Sequence, residues 1–203
     1  MNITVYCGSS RGADPRFVEA AHELGAWIGS QGHALVYGGS SIGLMGIVAR
    51  TAMEAGGRAY GVEPRFFIDA GVAQCDLTEL FVVESMSERK AKMIELGEAF
   101  VALPGGVGTL EEISEIMSLI RLGKTAAPCC FLNIGGYYDS LRAFVGTMLE
   151  QGFIAQDDFD RYLFPATVGE CAAIIERTQS APAQPHATAA EMRGGALQGK
   201  PER

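Results

Sequence analysis

The sequence predicts an α/β protein: a doubly wound, mostly parallel sheet in a Rossmann-like three-layer sandwich. Three observations lead there. Short apolar runs of strand length alternate with longer stretches whose apolar residues recur at helical spacing, the pattern of successive βαβ units. Glycine-rich or small polar turns follow several of those runs. The chain has 203 residues, 48% of them hydrophobic, which suits one domain with a buried core.

Ile3–Cys7 reads as a buried strand, and Gly8–Ser9–Ser10 turns out of it. A helix follows over residues 15–30, with Asp14 as N-cap and Pro15 at the first helical position. Its apolar face is Phe17, Ala20, Ala21, Leu24, Trp27 and Ile28. Ala34–Tyr37 is the second strand, and Gly38–Gly39–Ser40–Ser41–Ile42–Gly43 is a second glycine turn leading into a helix. Residues 58–62 read as the third strand and 63–76 as irregular, with Phe66 and Phe67 available to cover a site or a partner subunit.

The fourth strand is 79–83. Ser85 and Glu88 have capping-box spacing, so a helix starts near Met86. Arg89, Lys90 and Lys92 crowd its beginning, where cations oppose the helix dipole. Either these form a solvated face, or an anion partner offsets the placement. Arginine suits the second role because its planar fork holds oxygen anions bidentately.

Residues 99–103 make a central strand, followed by Pro104–Gly105–Gly106–Val107–Gly108–Thr109–Leu110–Glu111–Glu112 and a helix from Thr109 to about Leu122. A strand, a glycine turn and a helix N-terminus make an anion site, because free N–H groups and the dipole point at the turn. Thr109 is the expected cap. Glu111 and Glu112 either favour the dipole or reach a non-phosphate part of a ligand. The loop is neither G-x-G-x-x-G nor a Walker loop, since Glu111 and Ser118 stand where those patterns need glycine. Gly123–Lys124 reads as a helix C-terminus. Further on come a strand at 129–133, a helix to about Leu149, a short segment before Pro165 and a last helix over 168–177. From residue 179 alanine, proline, glycine and polar residues dominate, so 1–178 is the expected domain and 179–203 a disordered tail.

Charge and cysteine content narrow the function. The net charge is −8, which argues against nucleic-acid polymers and membrane surfaces as partners. Cys7, Cys75, Cys129, Cys130 and Cys171 form no C-x-x-C pair. His22, His33 and His186 are scattered and offer no metal cluster. No apolar run approaches about 20 residues and no leader is evident, so a cytoplasmic protein is the expectation. Ligands of such sheets bind beyond the strands' carboxyl ends. From the residues alone, a phosphate-bearing small molecule follows, with a nucleoside monophosphate as the expected kind.

The stretch Pro104–Glu112 resembles P-G-G-x-G-T-x-x-E, the signature of the Lonely Guy (LOG) family of cytokinin riboside 5′-monophosphate phosphoribohydrolases. Cys7–Ser10, Val36–Gly39, Gly43–Gly46 and Met86–Lys90 also match, and the resemblance runs from about Ile3 to Ile175. It implies hydrolysis of the N-glycosidic bond of such nucleotides, and of AMP, without a cofactor, in a homodimer with the site near the interface. It implies Arg89 and Glu112 as the catalytic pair. The implied substrate contacts are Gly8, Ser9, Gly39, Ser40, Met86, Lys90, Gly105, Gly106, Val107, Gly108, Thr109, Leu110 and Glu111.

Two departures stand out: Ser40 replaces a glycine, and Ser118–Gly123 lacks the family's tryptophan-containing helix end. The rival readings are a non-catalytic carrier of a nucleotide-like cofactor, a lysine decarboxylase and a dehydrogenase. The decarboxylase needs a Schiff-base lysine, and no cofactor site surrounds Lys90, Lys92 or Lys124.

Overall fold

The structure, a computed structural model, describes residues 1–180. The tail expected over 179–203 lies, beyond residue 180, outside the described residues. Element order is β1 (Asn2–Tyr6), α1 (Pro15–Ser30), β2 (Ala34–Tyr37), α2 (Gly43–Glu54), β3 (Arg58–Pro64), α3 (Arg65–Asp69), β4 (Glu79–Val83) and α4 (Met86–Leu96). Then come β5 (Ala99–Ala102), α5 (Val107–Arg121), β6 (Cys129–Phe131), α6 (Asp139–Glu150), α7 (Gln156–Phe159), β7 (Tyr162–Leu163) and α8 (Val168–Ser180).

The strands form one sheet in the order β4-β3-β2-β1-β5-β6-β7, with every neighbouring pair parallel. From β1 the chain winds outward through β2, β3 and β4. It then returns to the other side of β1 as β5 and winds outward through β6 and β7. The reversal lies between β1 and β5, where open sheets of this kind leave a crevice. Register sets that crevice: Val5 pairs with Val101 and Tyr6 with Ala102. Beyond the pair, Leu103 N–H donates to the Tyr6 carbonyl (2.9 Å) and Gly8 N–H to the Pro104 carbonyl (3.1 Å). The turns after β1 and β5 are thereby tied together.

Side chains alternate between the two faces, as a period-2 strand requires. Ile3, Val5 and Cys7 join a core with Leu24 and Ile28 of α1, Val48 and Ala52 of α2, and Cys171 and Ile175 of α8. Tyr6 joins the opposite core with Met93 of α4, Ile113, Ile116 and Ile120 of α5, and Val145 of α6. Leu24 has no exposed surface, so its burial stabilises the fold by about 1.5–3 kcal/mol. Asp14 caps α1 through its side chain, accepting from Arg16 N–H, and Pro15 opens the helix. Gly123, with φ 64°, closes α5: its N–H donates to Ile120 and that of Lys124 to Leu119, a Schellman arrangement. Among the described residues, no helix is long and apolar enough to cross a membrane.

Boundaries differ from the sequence reading in three informative places. β3 runs on through Glu63 and Pro64 because β4 supplies parallel partners, Glu63 opposite Val82 and Pro64 opposite Val83. Part of the segment read as irregular is the short helix α3. Helix α5 begins at Val107, two residues before the expected start, with Gly106 as its N-cap.

Candidate active site

A cavity of about 540 Å³ opens at the carboxyl ends of the strands. Its polar wall holds Gly8 and Ser9 after β1 and Gly106 to Thr109 at the start of α5. Gly106 has no side chain to cap α5. The first-turn amides of Val107, Gly108 and Thr109 are left to an external acceptor, with the helix dipole behind them.

Thr109 is not the cap. It is the third helical residue, is 4% exposed, and sits against Gly105: a Cβ at 105 would lie 2.2 Å from its Oγ1 and 2.9 Å from Gly8 N. Only glycine lets the two turns approach so closely. The loop is braced from outside by the adjacent tyrosines before α6. Tyr138 hydroxyl donates to the Leu103 carbonyl at 2.7 Å, and Tyr137 hydroxyl to that of Gly105.

Arg89 reaches the cavity from the first turn of α4, whose N-terminus Ser85 caps by accepting from Glu88 N–H. Arg89 Nε donates to the Val62 carbonyl (3.1 Å) and Nη2 to that of Gly38 (3.2 Å), fixing the guanidinium on the ends of β3 and β2. Its Nη1 lies 3.5 Å from Glu112 Oε1. Both side chains are almost fully buried yet line the cavity. The awkward placement of a cation at a helix N-terminus is thus met by two carbonyls and a carboxylate. Burial raises the Glu112 carboxyl to about 7, against the opposing pull of Arg89.

The remaining expected contacts divide. Ser40, Met86 and Glu111 line the cavity, whereas Gly39, Lys90, Gly105 and Leu110 do not. Lys90 instead pairs with Glu111 and, at 3.2 Å, with Glu115, both of α5. Ser40 is buried, its Oγ donating to the Val72 carbonyl at 3.5 Å. The departure at Ser118–Gly123 falls at the end of α5 remote from the cavity, and none of its residues lines the wall.

The rest of the wall comes from residues scattered between 42 and 72 in the sequence. It is apolar, with Ile42, Met45, Phe67, Ala70 and Val72, and it contains Glu63, 2% exposed. Of these, the sequence points to Phe67, with Phe66, as a side chain able to cover a site. The sequence signal for Glu63 is a glutamate placed directly after the strand run Ala59–Val62 and followed by proline.

Fold and site together define a Rossmann-like α/β protein with an anion-cradling crevice and a buried Arg–Glu pair. Comparison with known proteins places it further. A family model described as "Possible lysine decarboxylase" matches residues 45–175. Cytokinin riboside 5′-monophosphate phosphoribohydrolase LOG of Oryza sativa subsp. japonica is 42% identical over 155 residues, 76% of this chain and 64% of that protein. The cytokinin riboside 5′-monophosphate phosphoribohydrolase of Rhodococcoides fascians is 42% identical over 154 residues, 75% of this chain and 78% of that protein. The chain belongs to this LOG family. The molybdenum cofactor binding protein of Rippkaea orientalis shares the fold, with a TM-score of 0.69 at 19% identity over 88% of this chain and 96% of that one.

Proposed function

We propose that this chain hydrolyses the N-glycosidic bond of cytokinin riboside 5′-monophosphates, and of AMP, to free base and ribose 5-phosphate. The observation that supports this best is the buried Arg89–Glu112 pair facing the same cavity as the uncapped start of α5. The amides of Val107–Thr109 are suited to the 5′-phosphate. A phosphate held there leaves the sugar to Glu112, the sixth residue of the helix. Breaking the glycosidic bond builds positive charge on the ribose, as in other glycosyl transfers. The ionised Glu112 carboxylate stabilises that charge and accepts a proton from the attacking water. Arg89, clamped by the Val62 and Gly38 carbonyls, holds the carboxylate in one orientation and favours its ionised form.

The family's decarboxylase description needs a lysine to form a Schiff base. Among the described residues no lysine lines the cavity, and Lys90 is engaged by Glu111 and Glu115. A homodimer in the cytoplasm belongs to the same proposal. The exposed Phe144 and Phe153 and the five free cysteines are compatible with it.

Incubation of the purified protein with isopentenyladenosine 5′-monophosphate and AMP tests the reading. It predicts stoichiometric free base and ribose 5-phosphate, with little release from the unphosphorylated nucleosides. Recovery of intact nucleotide after tight binding would instead mark a carrier.

A further inference from the structure

Glu63 has no place in the chemistry above, yet it occupies the cavity's apolar wall. It projects from the end of β3, next to the carbonyl of Val62 that anchors Arg89. Its Oε2 is fully buried without a hydrogen-bond partner, packed against Gly39, where a Cβ would lie 2.6 Å away. An unsatisfied buried carboxyl is costly and calls for an explanation. Neutralising Arg89 does not provide one, since the ion pair of Arg89 is made with Glu112. The groups bearing charge or a titratable proton around Glu63 are Arg89 of α4 and Tyr37 of β2. Burial pushes the Glu63 carboxyl up to about 7, with Arg89 opposing, so a large fraction is protonated at neutral pH.

We propose, resting on the hydrolase reading above, that Glu63 is a second catalytic carboxyl, the acid that protonates the departing base. Glu63 lines the same cavity as the α5 amides but from the end of β3, which β2 and β1 separate from β5, and the cavity's apolar side chains Ile42, Met45, Phe67, Ala70 and Val72 are suited to a base. When the C1′–N9 bond of a purine nucleotide breaks, its electron pair passes into the ring. The Glu63 proton goes to N7, and the base leaves neutral. Water adds to C1′ and gives its proton to Glu112. Exchange with solvent then returns a proton to Glu63 and removes one from Glu112, so the sum is nucleotide plus water to base plus ribose 5-phosphate. Glu112, with the Arg89 guanidinium at 3.5 Å, suits the ionised role, and Glu63, whose buried Oε2 has no partner, suits the protonated one, so the two carboxyls divide the work of base and acid.

The test compares leaving groups in the full chain. The 5-phosphate of 4-nitrophenyl riboside expels a stable phenolate and needs no proton. Glu63→Gln, nearly isosteric, is expected to lower kcat on AMP about 100-fold or more with KM changed less than threefold. On the nitrophenyl substrate the fall is expected to be at least tenfold smaller. Equal falls on both substrates, or none on AMP, overturn the proposal while leaving the hydrolase reading in place. Absence of product from either substrate with the parent protein overturns both. A second measurement needs no variant: 7-deaza-AMP, which lacks the N7 acceptor, should be cleaved by the parent at least 100-fold more slowly than AMP. Comparable rates contradict the assignment.

Discussion

Gly38 and Arg89 compete for the same space. A Cβ on residue 38 would sit 1.7 Å from Arg89 Nη2 and 2.8 Å from its Cζ. The missing side chain is therefore what allows the guanidinium to lie across the end of β2, donate to the Gly38 carbonyl and still reach Glu112. Gly38→Ala should displace the fork by an ångström or more. A misplacement of that size costs about 100-fold in rate. Steady-state kinetics on AMP should show that fall in kcat, with phosphate-dependent binding retained because the α5 amides are untouched.

Glu112→Gln removes the group that takes the proton from water and stabilises the sugar cation, while keeping its volume. The expected result is a loss of about 100-fold to 10,000-fold in turnover. Nucleotide affinity, read by calorimetry, should stay within a few-fold of the parent. Turnover equal to the parent's would remove Glu112 from the mechanism.

Arg89→Lys retains the charge but not the fork. Lysine's single ammonium cannot serve the Val62 and Gly38 carbonyls and the Glu112 carboxylate in the same plane. Turnover should drop at least tenfold. Arg89→Ala should additionally destabilise the protein by about 3–5 kcal/mol at pH 8, because the ionised Glu112 is left buried without its cation. Urea unfolding at pH 8 and pH 5.5 checks this, and the penalty should shrink at the lower pH as Glu112 takes up a proton.

Stability should decline as pH rises through the range of the two buried glutamates. Both are raised from an ordinary 4.5 to about 7, so the native protein holds more protons than the unfolded chain between those values. Their contribution is present in full below about 4.5 and is lost as pH passes about 7. His33, whose pKa burial lowers, acts in the opposite direction below 6.5, and the lowered Asp14 acts only near its ordinary 3.8 or below. The doubly substituted Glu63→Gln, Glu112→Gln protein isolates the effect. Its urea midpoint should fall less between pH 5 and pH 8 than the parent's.

Much of the architecture is legible in the sequence because it rests on local signals. Apolar runs and helical spacing mark the elements, Asp14–Pro15 marks the start of α1, and Gly123–Lys124 marks the end of α5. The glycine turns announce the crevice. What stays hidden depends on residues far apart in the chain. Thr109 looks like a cap, but the approach of Gly105 to Gly8 starts the helix earlier and turns that threonine inward. Lys90 neighbours Arg89 in sequence, yet successive residues of a helix face different directions, and its amine pairs across to α5. Glu63 looks like a loop residue until β4 is seen to extend the strand beneath it.

A crystal structure of Glu112→Gln with AMP bound is the most direct test of the central claim. The account predicts the 5′-phosphate within hydrogen-bond distance of the Val107, Gly108 and Thr109 amides and the residue 112 side chain facing C1′. A phosphate bound elsewhere, or residue 112 turned away from the anomeric carbon, would contradict it.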